Sequence, residues 1–394
     1  MTHLSSRDRV LAAMRYQETD YAPLVFLTFG FRPPPHLAWS NVVEEAERWL
    51  SLGVDALIRL GTPMVFHPDV KVRQWEEKIP GERWPLMVKE YDTPAGILRQ
   101  EVYQTEDWVS DDWPGGHHGD ERAVQLIDDY NVVRSRRFPV ETEADLEKLK
   151  YLLYPLSGDA LAGVRERTAA IFREARRLGV AVEVQGSAGT DLATWLCGVD
   201  GMVMMAMDKP DMFGALLDII QAWDKANTEI VLDTPADIIV RRGWYEGTAF
   251  WSPKLYRRFF LPRFQELVRM IHQGGRLAAY KLSTGFMPLL DLFLEAGYDA
   301  HYYIDPVQGG PGVDLHKVKR AFDGKMAVVG GINSAVTLES GTRQEIRQAV
   351  FDAIDILGPT GLVLCPVDCI FSSTPWESIE IVIQAWKERV GLAV

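Results

Sequence analysis

The chain has 394 residues, 47% hydrophobic and 25% charged, which suffices for one large core or two smaller ones without covalent staples. A net charge of −13 at pH 7 repels nucleic-acid phosphates, and no basic run interleaved with aromatics offsets it, so nucleic acid is not an expected partner. Three cysteines (Cys197, Cys365, Cys369) are too few for a disulfide framework, no stretch approaches the roughly 20 apolar residues of a membrane span, and the opening lacks an apolar signal core; a reducing, cytoplasmic setting is expected.

The opening MTHLSSRDRVLAAMRY reads as a charged amphipathic helix. Short β-branched runs ending in Gly, Pro, Asn or polar residues then recur. In chain order they are Leu24 to Gly30, Asp55 to Gly61, Val180 to Gly186, Asp237 to Gly243, Leu277 to Ser283, Asp299 to Asp305, Met326 to Asn333 and Gly361 to Asp368. Helix-period segments separate most of them, several ended by Gly as a C-cap. Eight such units predict a closed (β/α)8 TIM barrel, an α/β fold, as a single domain over 1–394, rather than an open doubly wound sheet. The gap of roughly 62–161 is too long for one crossover. It alternates around Thr93-Pro94-Ala95-Gly96 like a β-hairpin, and a return helix is capped near Thr142. A β-hairpin and loop insertion after the second strand is therefore expected, covering the barrel mouth.

Taken together, the segments DRVLAAMRYQETDYAPLVF, YDTPAGILRQE, FPVETEADLEKL, FWSPKLYRRFFLPRFQELV, VVGGIN and LCPVDCIFSSTPWESIEIVIQAW resemble the uroporphyrinogen decarboxylase superfamily, which holds decarboxylases and cobalamin-linked methyltransferases. Their order and spacing carry the resemblance over most of the chain, and the hairpin favours the methyltransferase-like branches. Departures from the family pattern narrow the function. Where thiol-activating members carry a zinc-binding His-x-Cys and a later Cys, this chain has Lys281-Leu282-Ser283 and Asp368, with Cys369 displaced by one, so a zinc–thiolate site is not expected. Where porphyrin decarboxylases carry an arginine-rich propionate grip and an Asp, it has Gly30-Phe31-Arg32-Pro33 and Gly61-Thr62.

In such a barrel the functional groups gather at the C-terminal strand ends. In VAVEVQG, valines 180, 182 and 184 alternate with Glu183 and Gln185, which turns the latter two inward, and an inward Glu is paired or catalytic. Of Arg241 and Arg242 only one can face the lumen; parity with Trp244 and Glu246 favours Arg242. Arg59 and Lys281 add charge to the same cavity, which implies a carboxylate, phenolate or phosphate on the substrate. Alternatively these cations neutralise Glu183, Asp305 and Asp368 in an internal network. Lys281, Glu183, Asp305 and Asp368 are the catalytic candidates. Lys281 is read as an anion binder or general acid, with Asp368, by the resemblance, as its counter-ion. Arg59, Gln185, Arg242, Trp244, Glu246, Tyr303 and Asn333 are the substrate-binding candidates. Adjacent His117 and His118 in a Gly-rich loop read as a surface loop rather than a metal site, and a mixed site from Glu183, Glu246, His301 and Asp305 shows no diagnostic spacing. Gly330-Gly331 lacks the context of a dinucleotide fold.

The leading functional expectation is substrate-side methyl transfer of the O-demethylase type, from an anionic or aromatic methylated small molecule to a corrinoid (cobalamin) on a partner protein, with no tightly bound cofactor. The alternatives are cofactor-independent decarboxylation of a carboxylated ring or tetrapyrrole, and a non-catalytic tetrapyrrole- or corrinoid-binding protein. Amphipathic surface helices permit a homodimer.

Overall fold

A computed structural model describes residues 3–106 and 124–393. The strands, in chain order, are β1 (Leu57–Gly61), β2 (Lys71–Glu77), β3 (Leu86–Thr93), β4 (Gly96–Tyr103), β5 (Ser135–Arg137), β6 (Ala181–Ser187), β7 (Ile238–Arg242), β8 (Leu277–Lys281), β9 (Ala300–Ile304), β10 (Ala327–Asn333) and β11 (Leu362–Val367). The chain divides into two compact units. One holds the residues up to Thr62, Asp159–Gly186 and everything from Thr228; the other holds Pro63–Gly158 and Ser187–Asn227.

In the first unit seven strands form a curled parallel sheet in the order β1-β6-β7-β8-β9-β10-β11. These are the second to eighth runs expected from the sequence. The first run closes the ring in a looser form, its chain bonded on one side to β11 (Val25 N–H to Leu364 carbonyl, 3.0 Å; Leu364 N–H to Pro23 carbonyl, 2.8 Å) and on the other to the approach to β1 (Asp55 N–H to Leu24 carbonyl, 3.0 Å). It does not ladder continuously because its two bridges, Leu24 to Leu364 and Thr28 to Ile370, are four residues apart on one side and six on the other. Two extra partner residues must bulge out between them. The fold is the expected α/β TIM-type barrel.

Small and branched side chains on alternate positions fill the lumen: Ala181, Val240, Ala279, Ala300, Val329 and Val363 belong to one buried cluster. Val10 and Met14 of the helix Ser6–Met14 join that same cluster. The close strand approach at β10 needs glycine: a Cβ on Gly330 would lie 2.8 Å from the Ile304 nitrogen. The β9–β10 register shifts between Val329 and Gly330.

In the second unit β2-β3-β4-β5 form an antiparallel sheet. The expected hairpin is there, Thr93 pairing with Gly96, and the Thr93 hydroxyl accepts from the Ala95 amide (3.2 Å) and donates to the Gly96 carbonyl (2.6 Å). The return helix runs Glu143–Leu152 with a Thr142/Asp145 capping box. The insertion is not compact by itself, since the helices Gly189–Cys197 and Val199–Asp208 belong to the same unit. His117 and His118 lie outside the described residues. Among the described residues no helix is long and apolar enough to cross a membrane.

Candidate active site in the barrel lumen

Parallel pairing puts register partners on the same face of a sheet. Arg59 pairs with Glu183, and Arg242 pairs with Lys281, which pairs with Tyr302. All five side chains turn to the lumen side, one carboxylate against three cations. The Lys281 ammonium lies 3.0 Å from Glu183 Oε1 and the Tyr302 hydroxyl donates to Oε2 at 2.6 Å. Glu183 is 2% and Lys281 5% exposed. Removing two such ions from water costs several kcal/mol each, which only close pairing and further hydrogen bonds offset. Burial pushes the Glu183 carboxyl up, but Lys281, Arg59 and the Tyr302 hydrogen bond outweigh it and hold the group below its ordinary value, as a carboxylate. The Arg59 guanidinium is anchored by the Thr28 carbonyl, and the Thr28 hydroxyl in turn donates to Glu45 (2.7 Å).

Beyond the strand ends stands a second group. Burial, then the nearby Asp305 charge, pushes the Asp368 carboxyl up to about 6 although Ser283 hydrogen-bonds it. Its Oδ1 is buried and has no hydrogen-bond partner among the described residues. Asp305 is fully engaged: Oδ1 accepts the Val307 and Gln308 amides (2.7 and 2.9 Å) and Oδ2 accepts from Asn333 (2.8 Å). Asn333 caps the turn Ser334–Leu338 through its Oδ1. The Trp244 ring packs on the lumen cluster under the Arg242 guanidinium, 4.2 Å from its centroid, and its indole N–H has no partner among the described residues. Gln185 pairs in register with Gly61.

One expectation is corrected by where a side chain lies. Glu246 does not share the lumen with Arg242 and Trp244. β7 ends at Arg242, a 3-10 turn follows, and the period-two rule stops there. Glu246 instead forms a two-pronged pair with Arg241 (2.5 and 2.6 Å) and accepts from Tyr280 (2.6 Å), fully buried on the opposite face of the sheet. A Cβ on Gly243 would lie 2.4 Å from the Glu246 carboxylate, so the turn requires glycine. His301 also faces outward, ringed by Phe293 (4.7 Å) and Tyr280 (5.7 Å), and its burial drives the imidazole down to about 3. A site from Glu183, Glu246, His301 and Asp305 therefore does not assemble. Among the described residues no group of three or more His, Cys, Asp or Glu could hold a metal ion.

Sequence reading left Tyr302 and Cys369 out of the candidate site residues. Tyr303 has a positive φ of 76°, so strand alternation breaks and both tyrosines join the lumen cluster. The Tyr303 hydroxyl lies 3.4 Å from the Cys369 thiol, and Arg59 interacts electrostatically with both groups. Nothing in YYID signals that reversal; a left-handed non-glycine backbone is visible only in coordinates.

A family model described as uroporphyrinogen decarboxylase (URO-D) matches residues 130–389. A curated uroporphyrinogen decarboxylase from Gloeobacter violaceus is 27% identical over 262 residues, 63% of this chain and 70% of that protein. Among solved structures, a methyltransferase from Methanosarcina mazei superposes with a TM-score of 0.59 at 17% identity, over 98% of this chain and 99% of that one. A B12-independent methionine synthase from Shewanella reaches a TM-score of only 0.44 at 10% identity, over 94% of this chain and 97% of that one. With the model covering well over half of the sequence, the chain belongs to the uroporphyrinogen decarboxylase family.

Proposed function

We propose that the lumen binds an anionic, methylated small molecule and that the enzyme transfers its methyl group to a corrinoid carried by a partner protein. The observation that carries this reading is the cation-rich layer around Glu183, in which Arg59 and Lys281 flank a single carboxylate. A substrate carboxylate or phenolate takes up the same contacts, competing with Glu183 for Lys281. The Trp244 indole supplies a flat apolar wall and a free donor. When the C–O bond breaks, the methyl group leaves without its bonding pair for the corrinoid. The oxygen keeps the pair and takes a proton, which Asp368, with a carboxyl near 6 and an unpartnered Oδ1, is suited to deliver. The likeness in fold to the methyltransferase from Methanosarcina mazei supports methyl transfer in that it extends through the hairpin insertion, which precedes the URO-D match at residue 130.

One observation favours a second reading. The same Asp368 carboxyl could protonate the carbanion left by loss of carbon dioxide, and the curated relative carries the name of a decarboxylase. The deciding experiment incubates the purified chain with reduced cobalamin and a panel of methoxylated aromatic acids, reading methylcobalamin by absorbance and carbon dioxide in parallel. Methylcobalamin that requires Lys281 is expected. Carbon dioxide released without cobalamin selects the second reading, and silence in both channels across the panel counts against a lumen enzyme for such acids.

A further inference from the structure

We propose that the barrel carries a second binding site at the N-terminal ends of β6, β7 and β8, built for the phosphate group of a small metabolite. A cavity of about 590 Å³ opens there, lined among others by Arg7, Asp8, Phe172, Arg176, Asp237 and Arg276. Its charges are unequally satisfied. Both carboxylates turn to one arginine, Arg7 holding Asp237 at 2.6 Å and Asp8 at 3.5 Å. Arg176 and Arg276 have no carboxylate partner among the described residues. Arg276 gives one N–H to the Thr234 carbonyl at 2.9 Å, and its other terminal N–H groups have no partner among the described residues.

Two guanidiniums without a carboxylate partner on one cavity offer more N–H donors than the two oxygens of a carboxylate can take, and a phosphate monoester, with three free oxygens, matches them better. Phe172, Val180 and Val182 offer an apolar wall for the organic part. The site lies at the opposite ends of the strands from Lys281 and Arg242, so its ligand does not compete for the lumen. It reaches the lumen layer through one contact: the Asp237 carboxylate that holds Arg7 also accepts the Val182 amide at 3.0 Å, next to Glu183.

Titration calorimetry of the whole chain with inorganic phosphate tests the proposal, alongside R276Q and R176Q. Saturable heat is expected for the wild type, weakened at least about tenfold in each variant, the loss a removed charged hydrogen bond brings. R176Q changes an exposed helix end and keeps the test valid should R276Q fold poorly. Absence of heat in the wild type, or heat in both variants equal to that of the wild type, overturns the site; the second result assigns the anion elsewhere, the lumen included. Acetate at equal ionic strength binding as tightly as phosphate overturns the assignment to phosphate.

Discussion

Two buried ion pairs face opposite sides of the sheet, Arg241 of β7 with Glu246 on one and Lys281 of β8 with Glu183 of β6 on the other. Outward, Arg241 and Tyr280 close on Glu246, with the Phe264 ring 4.0 Å from the guanidinium. Inward, Lys281 pairs with Glu183, which also accepts from Tyr302, while Arg242 shares their face and lies over Trp244. The outer pair is a two-pronged match of one arginine to one glutamate among aromatics, and it staples the β7 turn to β8. The inner layer brings Arg59 and Lys281 to one carboxylate and, among the described residues, leaves an indole donor and a carboxylate oxygen on its margin without partners. Burial and charge are common to both; what separates a staple from a site is an excess of one sign and unused hydrogen-bonding capacity facing a lumen.

The largest effect is expected from Lys281→Met, which leaves Glu183 buried without its cation and costs about 3–5 kcal/mol of stability in chemical denaturation, along with all lumen activity. Adding Glu183→Leu removes the orphaned charge; stability recovers while activity does not. The corresponding outer pair of changes, Arg241→Met with Glu246→Leu, is expected to recover both within about tenfold in activity. If the outer double variant loses activity as completely as the inner one, the contrast between staple and site fails.

Asp368→Asn gives the next largest effect and separates catalysis from folding. The folded carboxyl sits at about 6, above its unfolded value, so the stability this group contributes is full at low pH and is lost as pH rises through about 6. The variant is therefore expected to be more stable than the parent at pH 8, on the order of 2 kcal/mol, and no more stable at pH 4. Its turnover should fall by about a hundredfold, with loss of the limb in which activity declines above pH 6. Tyr302→Phe deletes one hydrogen bond to a buried carboxylate and should cost about 1–3 kcal/mol. The smallest change is His301→Leu, which removes an imidazole buried among aromatic rings on the outer face; stability within about 1 kcal/mol of the parent and unaltered activity are expected, whereas a large activity loss would bring His301 into the site.

The barrel was legible because each strand is an apolar run cut by Gly or a polar residue, and alternation in VAVEVQG and in VRR turned Glu183 and Arg242 inward. It failed where the backbone leaves the strand: at Glu246, past the end of β7, and at Tyr303, whose positive φ brings two adjacent tyrosines to one side. The resemblance named Asp368 as the counter-ion of Lys281, but Lys281 pairs with Glu183, since residues 98 apart in the chain meet only through the order and register of β6, β7 and β8. The engagement of Asp305 and Asn333 in loop closure was equally hidden, because it depends on the amides of Val307 and Gln308 and on the cap at Val336.

The most direct test of the lumen layer as an anion site is calorimetric titration of the wild type and of the folded Lys281→Met/Glu183→Leu chain with the methoxylated acid that raises Tm most. Binding in the wild type, and at least about a hundredfold weaker binding in the double variant, is the expected result. Equal affinity in the two would contradict it and return Glu183 and Lys281 to the rank of an internal pair.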